Sequence, residues 1–306
     1  MRLYLTLAAM TVLILPSCTL TELADVKIAY NVKYADSTDN YEIFIMNPDG
    51  SGKKNISNHP GIDWVYYAYG NKLYFVSDRD TTYRKYFLYE MDSDGQNVRR
   101  LTPFLVKDSW FGTRKNGKEW VVASRKDGAH RFYIIDENGN ELRSLGHDTC
   151  RINDPVFSPD EKQIVFRSNK TGIDELWIMN DNGTDPRQIT FYPKEDTTAP
   201  WHAYHAGPPV WRPRHNEISF QSKQKSNYSI FTIRPDGSGL KQITTNEANE
   251  GWHSWSPDGE WLTFDRSDSE DKDFDIYIMK YDGTGLKKLT NEFKREQSPV
   301  FVRINP

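Results

Sequence analysis

Six of the nine Asx-Gly pairs along the 306-residue chain are each followed by the same pattern. The pairs are Asp49-Gly50, Asp94-Gly95, Asn138-Gly139, Asn182-Gly183, Asp236-Gly237 and Asp282-Gly283. Six residues after each glycine stands an aliphatic side chain: Ile56, Leu101, Leu145, Ile189, Ile243 and Leu289. A small residue follows it: Ser57, Thr102, Gly146, Thr190, Thr244 and Thr290. Asx-Gly is a strong hairpin signal because both residues tolerate the positive φ of a type I′ turn. Before each pair lies a short β-branched or aromatic run, such as Ile43-Phe44-Ile45-Met46 or Ile276-Tyr277-Ile278-Met279, which reads as a strand. Upstream a second strand ends in Tyr30, Phe75, Val122, Phe166, Phe220 or Phe264. Ahead of that come a turn, clearest as Ser256-Pro257-Asp258-Gly259, and an aromatic-bearing strand such as His253-Ser254-Trp255.

Each unit thus holds four strands, and the glycine-to-glycine intervals are 45, 44, 44, 54 and 46 residues. Four strands in about 45 residues is the signature of a propeller blade. The expected fold is all-β: a six-bladed β-propeller of four-stranded blades spanning 26–304. The first unit lacks its inner strand, while Ser298-Pro299-Val300-Phe301-Val302-Arg303 stands alone at the other end. That C-terminal strand is expected to pair into the first blade and close the ring, which leaves no exposed seam. The one long interval places an insertion of about ten residues between Ile189 and Pro209. A hydrophobic fraction of 37% suffices for a core, and a formal net charge of −4 gives no basic excess for nucleic acid.

The first residues read as an address. Arg2 precedes the apolar run Leu3–Leu15, which is too short for a membrane span of about 20 residues and matches a signal-peptide core. Leu15-Pro16-Ser17-Cys18 then resembles a bacterial lipobox. We expect residues 1–17 to be a lipoprotein signal peptide, Cys18 to carry the lipid, and 18–25 to be a short tether. The mature protein would then be anchored in the bacterial envelope, on the periplasmic or outer face and at the outer membrane, as a monomer. Cys150 is expected to be a packed thiol.

The segments just before each inner strand fall on one end of the ring. They bring together Asp63, Trp64, Asp108, Trp110, Arg151, Asp154, Trp201, Tyr204, Trp252, Glu296 and Gln297 as candidate ligand-binding residues. Aromatic platforms flanked by polar groups suit a sugar or peptide. The same end holds His202, His205 and His253 with Glu250, a donor set that would suit a divalent metal. No phosphate loop, dinucleotide fingerprint or cysteine-based metal motif occurs. No catalytic residue can be assigned, and no cofactor other than that metal is implied.

The last repeat, Trp255-Ser256-Pro257-Asp258-Gly259, Phe264, Asp275-Ile276-Tyr277-Ile278-Met279, Asp282-Gly283 and Leu289-Thr290, resembles the WD40-like repeat of TolB-type propellers. The resemblance covers about 26 to 304 and implies the six-bladed fold. TolB proteins carry a further N-terminal α/β domain, for which few residues are expected between Cys18 and the first strand. The repeats are also similar to the propellers of prolyl-oligopeptidase-type peptidases. The Gly-x-Ser-x-Gly elbow of those enzymes is not found, so serine peptidase activity is not expected. A third relative is the group of propeller polysaccharide lyases, which place metal-binding histidines at one channel end. The leading expectation is a binding or scaffolding module that holds an envelope protein or a glycan at one end of the channel. The rival is a metal-assisted polysaccharide lyase or hydrolase using the histidine-rich end.

Overall fold

The computed structural model describes residues 23–33, 39–148, 150–192, 206–223, 227–245, 247–267, 273–293 and 295–304. They form six four-stranded antiparallel sheets, with no α-helix among the described residues. From the innermost strand outward, blade 1 is Glu296–Arg303, Val26–Lys33, Tyr41–Met46 and Lys54–Asn55. Blade 2 is Asp63–Tyr69, Lys72–Ser77, Phe87–Asp92 and Arg99–Arg100; blade 3 is Gly112–Arg114, Glu119–Ser124, His130–Asp136 and Glu141–Asp148. Blade 4 is Ile152–Phe157, Gln163–Ser168, Glu175–Asn180 and Arg187–Gln188. Blade 5 is Val210–Trp211, Ile218–Ser222, Ser229–Ile233 and Lys241–Gln242; blade 6 is Glu250–Trp255, Trp261–Ser267, Phe274–Lys280 and Lys287–Lys288. The ring closes as expected: Ile28 pairs with Phe301 and Ala29 with Val300, so the last strand becomes the inner strand of blade 1.

The repeat has a physical reason at each of its three positions. The turns are not type I′, because none of the six Asx residues has a positive φ. Instead Gly50 N donates to Asn47 O at 2.9 Å and Gly50 alone is left-handed, with a φ of 86°. This is a turn followed by a glycine bulge, the common three-residue hairpin loop. The Asx side chain serves as an acceptor, as where Asp49 Oδ1 takes the N–H of Ser51 at 2.9 Å. The glycine is also needed for packing: a side chain on Gly95 would collide with the carbonyl of Ile56 in the preceding blade. The aliphatic residue is thereby buried between blades. The hydroxyl that follows caps the third strand, as where Thr190 Oγ1 accepts Leu176 N at 2.8 Å and Thr244 Oγ1 accepts Ile230 N at 2.9 Å.

Apolar clusters fill the spaces between neighbouring blades, for instance Ile43, Phe75, Tyr89 and Val300 between blades 1 and 2. Five of the six outermost strands are only two residues long, and each of the five carries lysine or arginine. Short, charged edges of this kind discourage edge-to-edge pairing.

Candidate functional site

The inner strands begin at one end of the channel and finish at the other. Four of them carry an extra residue near their start, the closing strand between Gln297 and Val300 included. The register shifts between Val65 and Tyr67, between Asn153 and Val156, and between Glu250 and His253. A bulge re-aims the side chains around it, and here it turns Tyr66 and Trp252 toward the axis. Trp252 of blade 6 meets Trp64 of blade 2 and Trp110 of blade 3, with ring centroids 5.7 Å apart in both cases. Tyr66 stacks on Trp110 at 4.1 Å and Tyr41 on Trp64 at 4.3 Å. Blades 6 and 3 stand opposite each other in a ring of six, so these aromatic groups cross the axis and plug the channel at this level.

The charged candidates surround the plug. Asp63 is fully buried and paired with Arg79 at 2.7 Å. Asp154, itself left-handed at φ 57°, accepts Trp110 N at 2.9 Å and faces Arg167 at 2.8 Å. Arg151 pairs with Asp174 at 2.6 Å. Asp108 accepts the phenol of Tyr66, and burial holds both groups above their ordinary pKa ranges. Glu250 is buried, with Arg266 3.8 Å away. Gln297 is buried as well, and burial pushes Glu296 up to about 7. Oε1 of Glu296 has no hydrogen-bond partner among the described residues.

His253 is buried, and both of its nitrogens are engaged. Nε2 lies 2.7 Å from Ser219 Oγ and Nδ1 lies 3.3 Å from Gly251 O. A carbonyl only accepts, so Nδ1 carries the proton and Nε2 accepts from Ser219. Desolvation pushes this imidazole down to about 4, so it is neutral at physiological pH. Cys18, Trp201, Tyr204, His202 and His205 lie outside the described residues. Among those described, no group of three or more histidine, cysteine, aspartate or glutamate side chains could hold a metal. Cys150 is half-buried, 3.6 Å from Ser168 Oγ.

The other end of the channel is open. A cavity of about 480 Å³ is lined by all six blades, with Tyr66 and Trp110 as its floor. Its wall and mouth include Phe301 and Arg303, Tyr69, Asn116, Phe157 and Pro159, Trp211 and Pro213, and Trp255 and Pro257. Trp211 Nε1 is buried in this wall without a hydrogen-bond partner among the described residues. Sequence reasoning overlooked this mouth, although a proline in the turn after the inner strand (Pro159, Pro213, Pro257) recurs in three blades and marks it.

The fold is that of a TolB-like six-bladed β-propeller. No protein-family model matches the chain. An uncharacterised protein of Agrobacterium fabrum is 26% identical over 200 residues, 63% of this chain and 66% of that protein. The Tol-Pal system protein TolB of Anaeromyxobacter dehalogenans is 27% identical over 117 residues, 37% of this chain and 26% of that protein. The matched stretches thus span less than two thirds of either relative. Among solved structures, TolB of Acinetobacter baumannii superposes with a TM-score of 0.72 at 18% identity, covering 92% of this chain and 68% of that one. Oligogalacturonate lyase of Vibrio parahaemolyticus superposes more distantly, with a TM-score of 0.51 at 14% identity over 82% of this chain and 72% of that one. At these identities both superpositions concern the fold alone.

Proposed function

We propose that the protein is a binding or scaffolding module of the bacterial cell envelope, taking a protein or glycan partner at the open end of its propeller channel. The observation that carries this is the cavity of about 480 Å³ to which every blade contributes. A concave, aromatic-walled space with a few polar groups at its rim is the usual form of a binding site. The likeness to a Tol-Pal system protein supports an envelope role and a protein partner. The apolar run Leu3–Leu15 and the lipobox-like Leu15-Pro16-Ser17-Cys18 support a signal peptide over 1–17, lipidation at Cys18, a tether over 18–25 and retention at the outer membrane. Two acyl signals or more hold a protein stably on a bilayer. The ring leaves no unpaired inner seam, which supports a monomer.

The test is affinity isolation from crosslinked envelopes. Asn116→Trp narrows the mouth, whereas Leu142→Glu alters an exposed position on the outer rim. The proposal expects one partner species to be lost with Asn116→Trp and kept with Leu142→Glu. Equal recovery with both variants would overturn it.

A further inference from the structure

A second pocket, of about 250 Å³, lies at the plugged end where blades 5, 6 and 1 meet. Gln221 and Tyr228 line it from blade 5, Glu250, Gly251, Trp252, Asp265 and Phe274 from blade 6, and Gln297 from the closing strand. Its polar atoms are mostly oxygens. Asp265 is buried, and its hydrogen bonds are backbone ones, from Ser298 N at 2.9 Å and from Trp252 N. Gln221, more than nine-tenths buried, has its Oε1 without a hydrogen-bond partner among the described residues. The two acceptors converge on one point: a Cβ built on Gly251 would lie 2.7 Å from Asp265 Oδ1 and 3.0 Å from Gln221 Oε1. Both oxygens therefore crowd the same face of Gly251, where no side chain fits.

The cations of this corner are turned to other partners. Arg266 pairs with Glu247 at 3.1 Å and reaches Glu250 at 3.8 Å, while Lys223 lies 5.6 Å from the centre of the Tyr228 ring. Among the described residues Asp265 has no cation beside it and Gln221 Oε1 has no donor, and both shortages cost free energy that a guest could relieve. A guest with several N–H donors and a positive charge satisfies both, and the Trp252 and Phe274 rings would flank its alkyl stem.

We propose that this pocket is a binding subsite for an alkylammonium group of the kind a lysine side chain carries, held between Asp265 and Gln221 with Trp252 and Phe274 beside it. It does not depend on the open mouth receiving a partner, and the experiment below needs no partner.

The probes are Nα-acetyl-lysine methylamide and its norleucine analogue, which has the same stem without the amine. They are titrated into the soluble chain from residue 19 onward, followed by the Trp252 indole resonance. Lysine binding at least about tenfold tighter than norleucine is expected, as for a charged hydrogen-bonded group. Asp265→Asn should remove that preference while the resonance spectrum stays dispersed. If Asp265→Asn does not fold, Gln221→Leu should weaken the lysine probe several-fold and leave norleucine unchanged. Equal affinity for the two probes, no binding of either, or a preference that survives Asp265→Asn in a folded chain would overturn the proposal. So would binding of glucose at this resonance without binding of the lysine probe.

Discussion

The two ends of the channel are built from the same six strands, yet they differ in what they do with them. Where the inner strands begin, bulges turn Tyr66 and Trp252 inward, and rings from opposite blades meet across the axis. Buried acids surround that plug and are held by arginines and backbone amides. Where the inner strands end, the walls stand apart and leave the cavity of about 480 Å³. In a repeat fold the ladder hydrogen bonds are common to all blades. A local insertion of one residue is what makes one end a core and the other a receptacle.

The contrast can be broken most sharply at Trp252. Trp252→Ala removes the contacts to both Trp64 and Trp110, and a loss of about 3 kcal/mol is expected by chemical denaturation. A loss below about 1 kcal/mol would show that the axis is not filled from opposite blades. His253→Ala is next. It strips Ser219 of a partner at the floor of the open cavity, and about 1–2 kcal/mol should be lost. Metal content should not change, because both nitrogens are already engaged. Elemental analysis of the purified variant checks that second point.

Glu296→Gln should stabilise the plugged end in a pH-dependent way. The native carboxyl keeps its proton up to about pH 7, whereas the unfolded chain releases it near the ordinary glutamate value. The unfolded state therefore gains as pH rises between those values, and the penalty is complete above pH 7 and absent below the ordinary value. Glutamine removes the ionisation, so a gain of about 1–2 kcal/mol is expected at pH 8 and almost none at pH 4.5. Thermal unfolding at the two pH values reads the difference, and a gain of equal size at both would contradict the assignment. The smallest effect belongs to the open mouth. Arg303→Ala should change stability by less than about 0.5 kcal/mol, since that side chain is exposed at the mouth and supports no core.

The fold was legible because its determinants are periodic. Gly95 must lack a side chain against Ile56, and Thr190 must cap Leu176, so the same residue types return in blade after blade. The type of turn was not legible, because Asx-Gly serves two hairpin geometries. The Asx oxygen, used here as an acceptor for the N–H two residues on, distinguishes them only in three dimensions. Of the candidate residues at the beginning of the inner strands, Trp64, Trp110 and Trp252 meet in the plug. Their surroundings were not legible: whether Trp64 faces solvent or Trp252 depends on a contact between blades separated by more than half the chain. Repeat spacing carries no information about such cross-axis contacts. The open mouth went unread for a similar reason, since each blade contributes only three to five residues and the cavity exists only when six blades are assembled.

The central claim is that the open end, and not the rim, receives the partner. Photo-crosslinking amino acids placed one at a time at Tyr69 and Asn116 on the mouth, and at Leu142 and Leu286 on the rim, test it in intact cells. The account predicts one discrete adduct shared by the two mouth positions and absent from the rim. Adducts at the rim with none at the mouth would contradict it.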